Sequence, residues 1–126
     1  MAGQGVEVLC VVSALPLRRW RDVIPFLRMT YRVDKQLKET PGLVRHAVKA
    51  NFLRKRFWTF SAWRDRESMV EFVRSEPHAT AVKRFEVWGG EGAAFAEWQS
   101  VDGSIDWTGA RERLRDPTFR YGQQRG

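Results

Sequence analysis

Residues 43–51 alternate in character, with Val44, His46, Val48 and Ala50 on one face and Arg45 and Lys49 on the other, and residues 56–63 form a second, aromatic-rich run. Only Phe52, Leu53, Arg54 and Lys55 lie between them. Period-two runs place successive side chains on opposite faces of a strand. A connection this short cannot bring the second strand round to lie parallel, so the pair must form an antiparallel hairpin. The rest of the chain is read around that unit.

Upstream, residues 6–13 alternate and are β-branched, a strand that Pro16 ends. Val23, Phe26, Leu27, Thr30, Val33 and Leu37 then recur at helical spacing, with Asp22 as candidate N-cap and Pro25 in the first turn. Pro41-Gly42 stops this helix. Downstream of the hairpin, Asp65 is positioned to cap a helix that buries Met69, Val70, Phe72 and Val73. Ser75 is read as the cap of the next, with Pro77 in its first turn and His78, Val82 and Phe85 on one stripe. The run WGGEG ends that helix, residues 93–100 read as a last strand, residues 108–114 as a short helix, and FRYGQQRG as a mobile basic tail.

The order β-α-β-β-α-α-β predicts an α+β, ferredoxin-like split βαβ fold: a four-stranded antiparallel sheet with helices on one face. Residues 1–100 form this domain and 101–126 a C-terminal helix and tail. The other sheet face, carrying Trp58 and Phe60, is then bare. Exposing it is unfavourable by roughly 25 cal/mol per Å², so a homodimer packed sheet to sheet is expected.

Composition narrows the function classes. Of 126 residues, 43% are hydrophobic and 29% charged, the balance of a soluble globular chain. No apolar run approaches the roughly 20 residues of a membrane span, and no positive residue precedes the apolar N-terminal segment, so neither membrane insertion nor a signal peptide is expected. Cys10 is the lone cysteine, which excludes an intrachain disulfide or a cysteine metal site and fits a cytoplasmic location. The net charge of +7 is spread along the chain and favours small anionic or hydrophobic ligands. No helix-turn-helix, zinc-finger or RNP pattern accompanies it, so nucleic acid is not the expected partner. Nucleophile-elbow, Walker and dinucleotide motifs are also missing.

The stretch from Phe57 to Phe85, preceded by TPGLVRHAVKANFLRK, resembles the antibiotic biosynthesis monooxygenase-like group of dimeric α+β barrels, and is also similar to spheroidene monooxygenase-like proteins. Pro41-Gly42 ahead of the second strand, Trp63 with Arg64-Asp65 after the third, and Ser75 followed by His78 carry the resemblance, which spans about residues 6–100. It implies a cofactor-independent monooxygenase acting on a small aromatic or polyketide-like molecule. Haem-degrading members of the group place their ligating histidine where Val82 stands and an asparagine near Ser13. Spheroidene monooxygenase-like members keep a histidine resembling His78, which leaves haem as a possible cofactor.

The expected pocket lies between sheet and helices. Trp63 shares a strand face with Phe57, Thr59 and Ser61, a half-polar wall on which a ligand could stack. His78, near a helix N-terminus that disfavours its cation, is either a general base or a buried histidine bonded to a strand. His46 could stand across the pocket and, with Thr59 and Ser61, orient substrate oxygens. Tyr31 lies at the flank of the helical stripe, and Asn51 and Arg84 read as turn and surface residues. Two histidines without a third ligand do not make a metal site. The rival to an enzyme is a non-catalytic ligand-binding domain, and filled space around His78 and Trp63 would favour it.

Overall fold

The computed structural model describes residues 7–90, 92–101 and 107–120. Strands β1 (Val8–Pro16), β2 (Leu43–Asn51), β3 (Arg56–Trp63) and β4 (Ala94–Ser100) form an antiparallel sheet in the order β2-β3-β1-β4. A two-residue strand β5 (Phe119–Arg120) pairs with the outer edge of β4. Helices α1 (Val23–Lys38), α2 (Arg66–Arg74) and α3 (His78–Trp88) connect them in the split βαβ order, and α4 (Trp107–Arg115) follows β4. This is the α+β, ferredoxin-like fold expected from the order of periodicities, enlarged by β5 and α4. The basic tail read at the C-terminus begins at the described edge, and its last residues lie outside the described part.

The hairpin forms as anticipated. Asn51 accepts a hydrogen bond from the Arg54 N–H, and Lys55 takes a left-handed φ of 55° to turn the chain into β3. At the other end of β2 the register slips between Leu43 and Arg45. This bulge removes Val44 from the alternating face assigned to it, and its side chain is exposed. Gly42, at φ 93°, makes the preceding turn; a Cβ there would strike the Ser68 side chain, so the turn sits hard against the first turn of α2. Asp65 caps α2, accepting from the Ser68 N–H at 2.8 Å. Two other caps differ. Asp22 is buried in a 3.1 Å ion pair with Arg19 rather than capping α1, and Ser75 donates to the Glu71 carbonyl while Pro77 stands at the N-cap of α3.

On the helix side two apolar clusters close the ends of the sheet. Leu17, Phe26, Met29, Phe57, Phe85, Trp88 and Ala93 form one; Leu9, Trp63 and Phe72 form the other, with Val33 packed against both. Gln36 of α1 fastens the α2–α3 joint: its Oε1 accepts from the His78 N–H at 2.9 Å and its Nε2 donates to the Phe72 carbonyl at 3.2 Å.

The second face of the sheet is not left open. Val8, Cys10, Phe60 and Ala62 pack with Trp98 and Trp107, while Val12 and Ala96 pack with Ala110 and Leu114 of α4. Phe60 is 2% exposed and Cys10, Val12 and Ala62 are 0%. Cations frame the seat: Arg113 lies 4.4 Å from the Trp98 ring, Arg111 5.8 Å from Trp58 and the Lys49 ammonium 5.9 Å from Trp107. The chain's own C-terminal helix therefore covers the strip where a second subunit was expected, and helices lie on both faces rather than one.

Candidate functional site

Between the two apolar clusters, the helix-facing side of the sheet turns polar. Directly paired residues of antiparallel strands share a face. One row across the sheet is Val48, Thr59, Ser13, Phe95, and the next is His46, Ser61, Val11, Glu97. Apart from the exposed Val48, every member is half-buried. The hydroxyls of Ser13 and Thr59 have no hydrogen-bond partner among the described residues, where no enclosed side-chain N or O is left unpaired. Both hydroxyls therefore reach accessible space. At the far end of the second row Glu97 is held by an ion pair from Arg66 of α2, and its N–H donates to Thr118 Oγ1 at 3.1 Å.

His46 is the imidazole of this belt. Its Nδ1 lies 3.5 Å from Asp34 Oδ1 on α1, and the other oxygen of that carboxylate is 3.1 Å from the Lys38 ammonium. The side chains of His46 and Asp34 are 28% and 29% exposed. Asp34 thus faces Nδ1 of the imidazole and leaves Nε2 on the other side of the ring. The 3.5 Å separation is that of an electrostatic contact rather than a hydrogen bond, and it sets a carboxylate on the Nδ1 side of the ring. An imidazole facing a carboxylate, on the same sheet face as two unengaged hydroxyls, supplies the residue types of a base and its orienters.

Trp63 and His78 sit elsewhere. The Trp63 indole is 0% exposed, its Nε1–H donates to Ser61 Oγ at 2.9 Å, and its ring lies 5.3 Å from that of Phe72. Phe72 in turn meets the His78 imidazole at 4.7 Å. The His78 Nδ1 is 3.1 Å from the Val73 carbonyl, which can only accept, so this nitrogen carries the proton. The two residues are joined through Phe72: Trp63 is closed in the core, and His78 is half-buried at its edge. Thr59, Ser61 and His46 do come together on the belt, with Ser61 already engaged as acceptor for the indole. Tyr31 does not join them. It is 71% exposed on the outward side of α1, in an open groove with Ile24 and Leu27.

Burial pulls the His78 pKa below its ordinary value of 6.5, and the Val73 carbonyl works weakly in the other direction. The unfolded chain then takes up a proton near pH 6.5 that the folded chain refuses until lower pH. Stability from this group is complete above pH 6.5 and is lost as pH falls towards the folded value. Thermal melts between pH 7.5 and 5 are expected to fall less steeply in His78→Gln than in the parent chain; equal slopes would refute the buried, neutral imidazole.

Asp34 and Ser13 were not singled out as site residues from sequence. Asp34 had one visible signal, its i,i+4 spacing to Lys38, which reads as an ordinary surface pair. Among the described residues no group of three or more His, Cys, Asp or Glu is placed to hold a metal, and no helix is long and apolar enough to cross a membrane.

No protein-family model matches the sequence, and a comparison with curated proteins gives no match. Solved structures do match in fold. A provisional antibiotic biosynthesis monooxygenase from Nitrosomonas europaea is 16% identical, with a TM-score of 0.65 over 80% of this chain and 96% of that one. SnoaB, a cofactor-independent oxygenase from Streptomyces nogalater, is 12% identical, with a TM-score of 0.57 over 75% of this chain and 92% of its own. A conserved protein from Methanosarcina mazei Go1 is 12% identical, with a TM-score of 0.66 over 78% and 97%. At these identities the likeness is one of fold. The chain has the fold of the antibiotic biosynthesis monooxygenase-like proteins, as the resemblance implied, and spans nearly the whole length of each.

Proposed function

We propose that the polar belt is the active site of a cofactor-independent oxygenase acting on a small aromatic molecule with an ionisable ring hydroxyl and an oxidisable CH₂. The observation that carries this reading is the His46–Asp34 pair on the same sheet face as the accessible hydroxyls of Ser13 and Thr59. The base assigned here is His46, in place of His78. Its Nε2 takes the proton, and Thr59 and Ser13 hold the resulting oxyanion. The electron-rich ring then reduces dioxygen itself. A C–O bond forms at the CH₂ carbon, the O–O bond breaks, one oxygen stays as a carbonyl, and the other leaves as water with the two hydrogens of that carbon. Atoms and electrons balance without a bound metal or flavin, and the protein's tasks are to ionise the substrate and shield it from water. The fold likeness to SnoaB supports the reaction class.

One observation favours the rival, a ligand-binding domain without turnover: Trp63 is closed off in the core and His78 packs on Phe72. Oxygen uptake with an anthrone as probe separates the two. Under the oxygenase reading the parent turns over, and His46→Ala lowers kcat by about 10²–10⁴ with the fold intact by circular dichroism, while His78→Gln keeps the parental rate. Anthrone binding without oxygen uptake favours the ligand-binding domain, and parental turnover in His46→Ala removes the proposed base. Haemin titration read at the Soret band tests the haem alternative, which requires an imidazole nitrogen facing open space.

A further inference from the structure

We infer that the outward face of α1 is a docking groove for an acidic amphipathic helix of a partner protein, separate from the polar belt. The groove has a volume of about 660 Å³. Its apolar lining is Ile24, Leu27 and Tyr31 of α1, with Pro77 ahead of α3. Ile24 is 59% and Tyr31 71% exposed, and with Leu27 they make a contiguous apolar strip on one helix face. Along the rim stand Arg28, Arg32 and Lys35. None of the three has an ion-pair partner among the described residues, and no carboxylate lines the groove.

Spacing and shape select the occupant. The cations recur at i, i+4 and i+7 along one helix, a run of about 10 Å at 1.5 Å per residue. Glutamates at the same interval on a second helix would meet them in register, with its apolar ridge on Ile24, Leu27 and Tyr31. The groove is open along its length, so a drug-sized molecule would leave one side in water, whereas ligand pockets bury about 70–90% of such a molecule.

The test is fluorescence anisotropy with a labelled 16-residue helical peptide carrying leucines at i, i+3 and i+7 flanked by glutamates, against a peptide with every glutamate replaced by lysine. The expected result is saturable binding of the acidic peptide alone, weakened about tenfold or more in Arg28→Glu/Arg32→Glu, since each tenfold is about 1.4 kcal/mol and two charge contacts are lost. Tyr31→Ala, which keeps every charge, also weakens it. Affinity falls as salt rises from 50 to 300 mM. Equal binding of the two peptides, or an acidic-peptide affinity indifferent to both variants, overturns the proposal. So does preferential binding to anionic phosphatidylglycerol vesicles with no peptide competition, which would assign the face to a membrane. Self-association that masks the groove, seen by sedimentation as loss of peptide binding at high protein concentration, would assign it to a second copy and likewise overturn the claim.

Discussion

Trp63→Ala is expected to lower stability by about 3–5 kcal/mol, the range for deleting a large aromatic from a closed core. For a domain of this size that is a fall in Tm on the order of 10–20 °C. The reason is local. The indole is fully buried, packs on Phe72 at 5.3 Å and spends its only donor on Ser61 at 2.9 Å. Removing it leaves a void bounded by Leu9 and Phe72, which the strand pairing of Leu9 opposite Trp63 prevents from collapsing. Trp63→Phe separates the contributions: the ring volume mostly remains, and the lost hydrogen bond costs about 1 kcal/mol. Urea unfolding of the three proteins is the measurement. A loss below about 1 kcal/mol in Trp63→Ala, with ligand affinity abolished instead, would return the indole to a pocket wall and undo the assignment of the site to the belt.

Trp63 also shows where sequence reading stops. Period-two alternation put it on the helix-facing side together with Phe57, Thr59 and Ser61, and the register confirms that. Whether an inward indole touches a ligand or a phenylalanine depends on Phe72, which arrives from another element. The same holds for His46: its face was legible, but its partner Asp34 is supplied by the docking of α1 across β2, a tertiary register with no local trace. His78 was read as inward from its stripe with Val82 and Phe85, and it is inward; its partners, Val73 and Phe72, belong to the end of α2. Caps divide the same way. Asp65 follows a strand in extended geometry and caps as its type predicts, whereas Asp22 sits in a short 3₁₀ turn and is drawn into the pair with Arg19. Strand pairing and helix count were thus readable from short-range pattern, whereas the partners of Trp63, His46 and His78 come from other segments of the chain.

Ala110→Glu is expected to unseat α4 and raise self-association. Ala110 is 2% exposed against Val12 and Ala96, so a carboxylate there enters an apolar strip, while the framing cations Arg111 and Arg113 lie over Trp58 and Trp98. The helix must lift. Phe60, Cys10, Val12 and Ala62 then face solvent, each side chain of valine or phenylalanine size losing about 1.5–3 kcal/mol of burial. Binding of an apolar dye should rise, and sedimentation should shift to larger species as concentration increases, whereas Glu112→Lys, on the exposed side of α4, should leave both unchanged. Unaltered dye binding and sedimentation in Ala110→Glu would mean that α4 does not cover the sheet in solution. The competition behind this result can be sized. A helix tethered to the sheet by a short connection acts at an effective concentration in the mM range, against about μM for a second molecule. That thousandfold advantage is about 4 kcal/mol, so a sheet-to-sheet dimer forms only if its larger apolar contact exceeds both this advantage and the cation–π framing of Trp58, Trp98 and Trp107. A single carboxylate at position 110 removes the tethered competitor while leaving the sheet face itself intact.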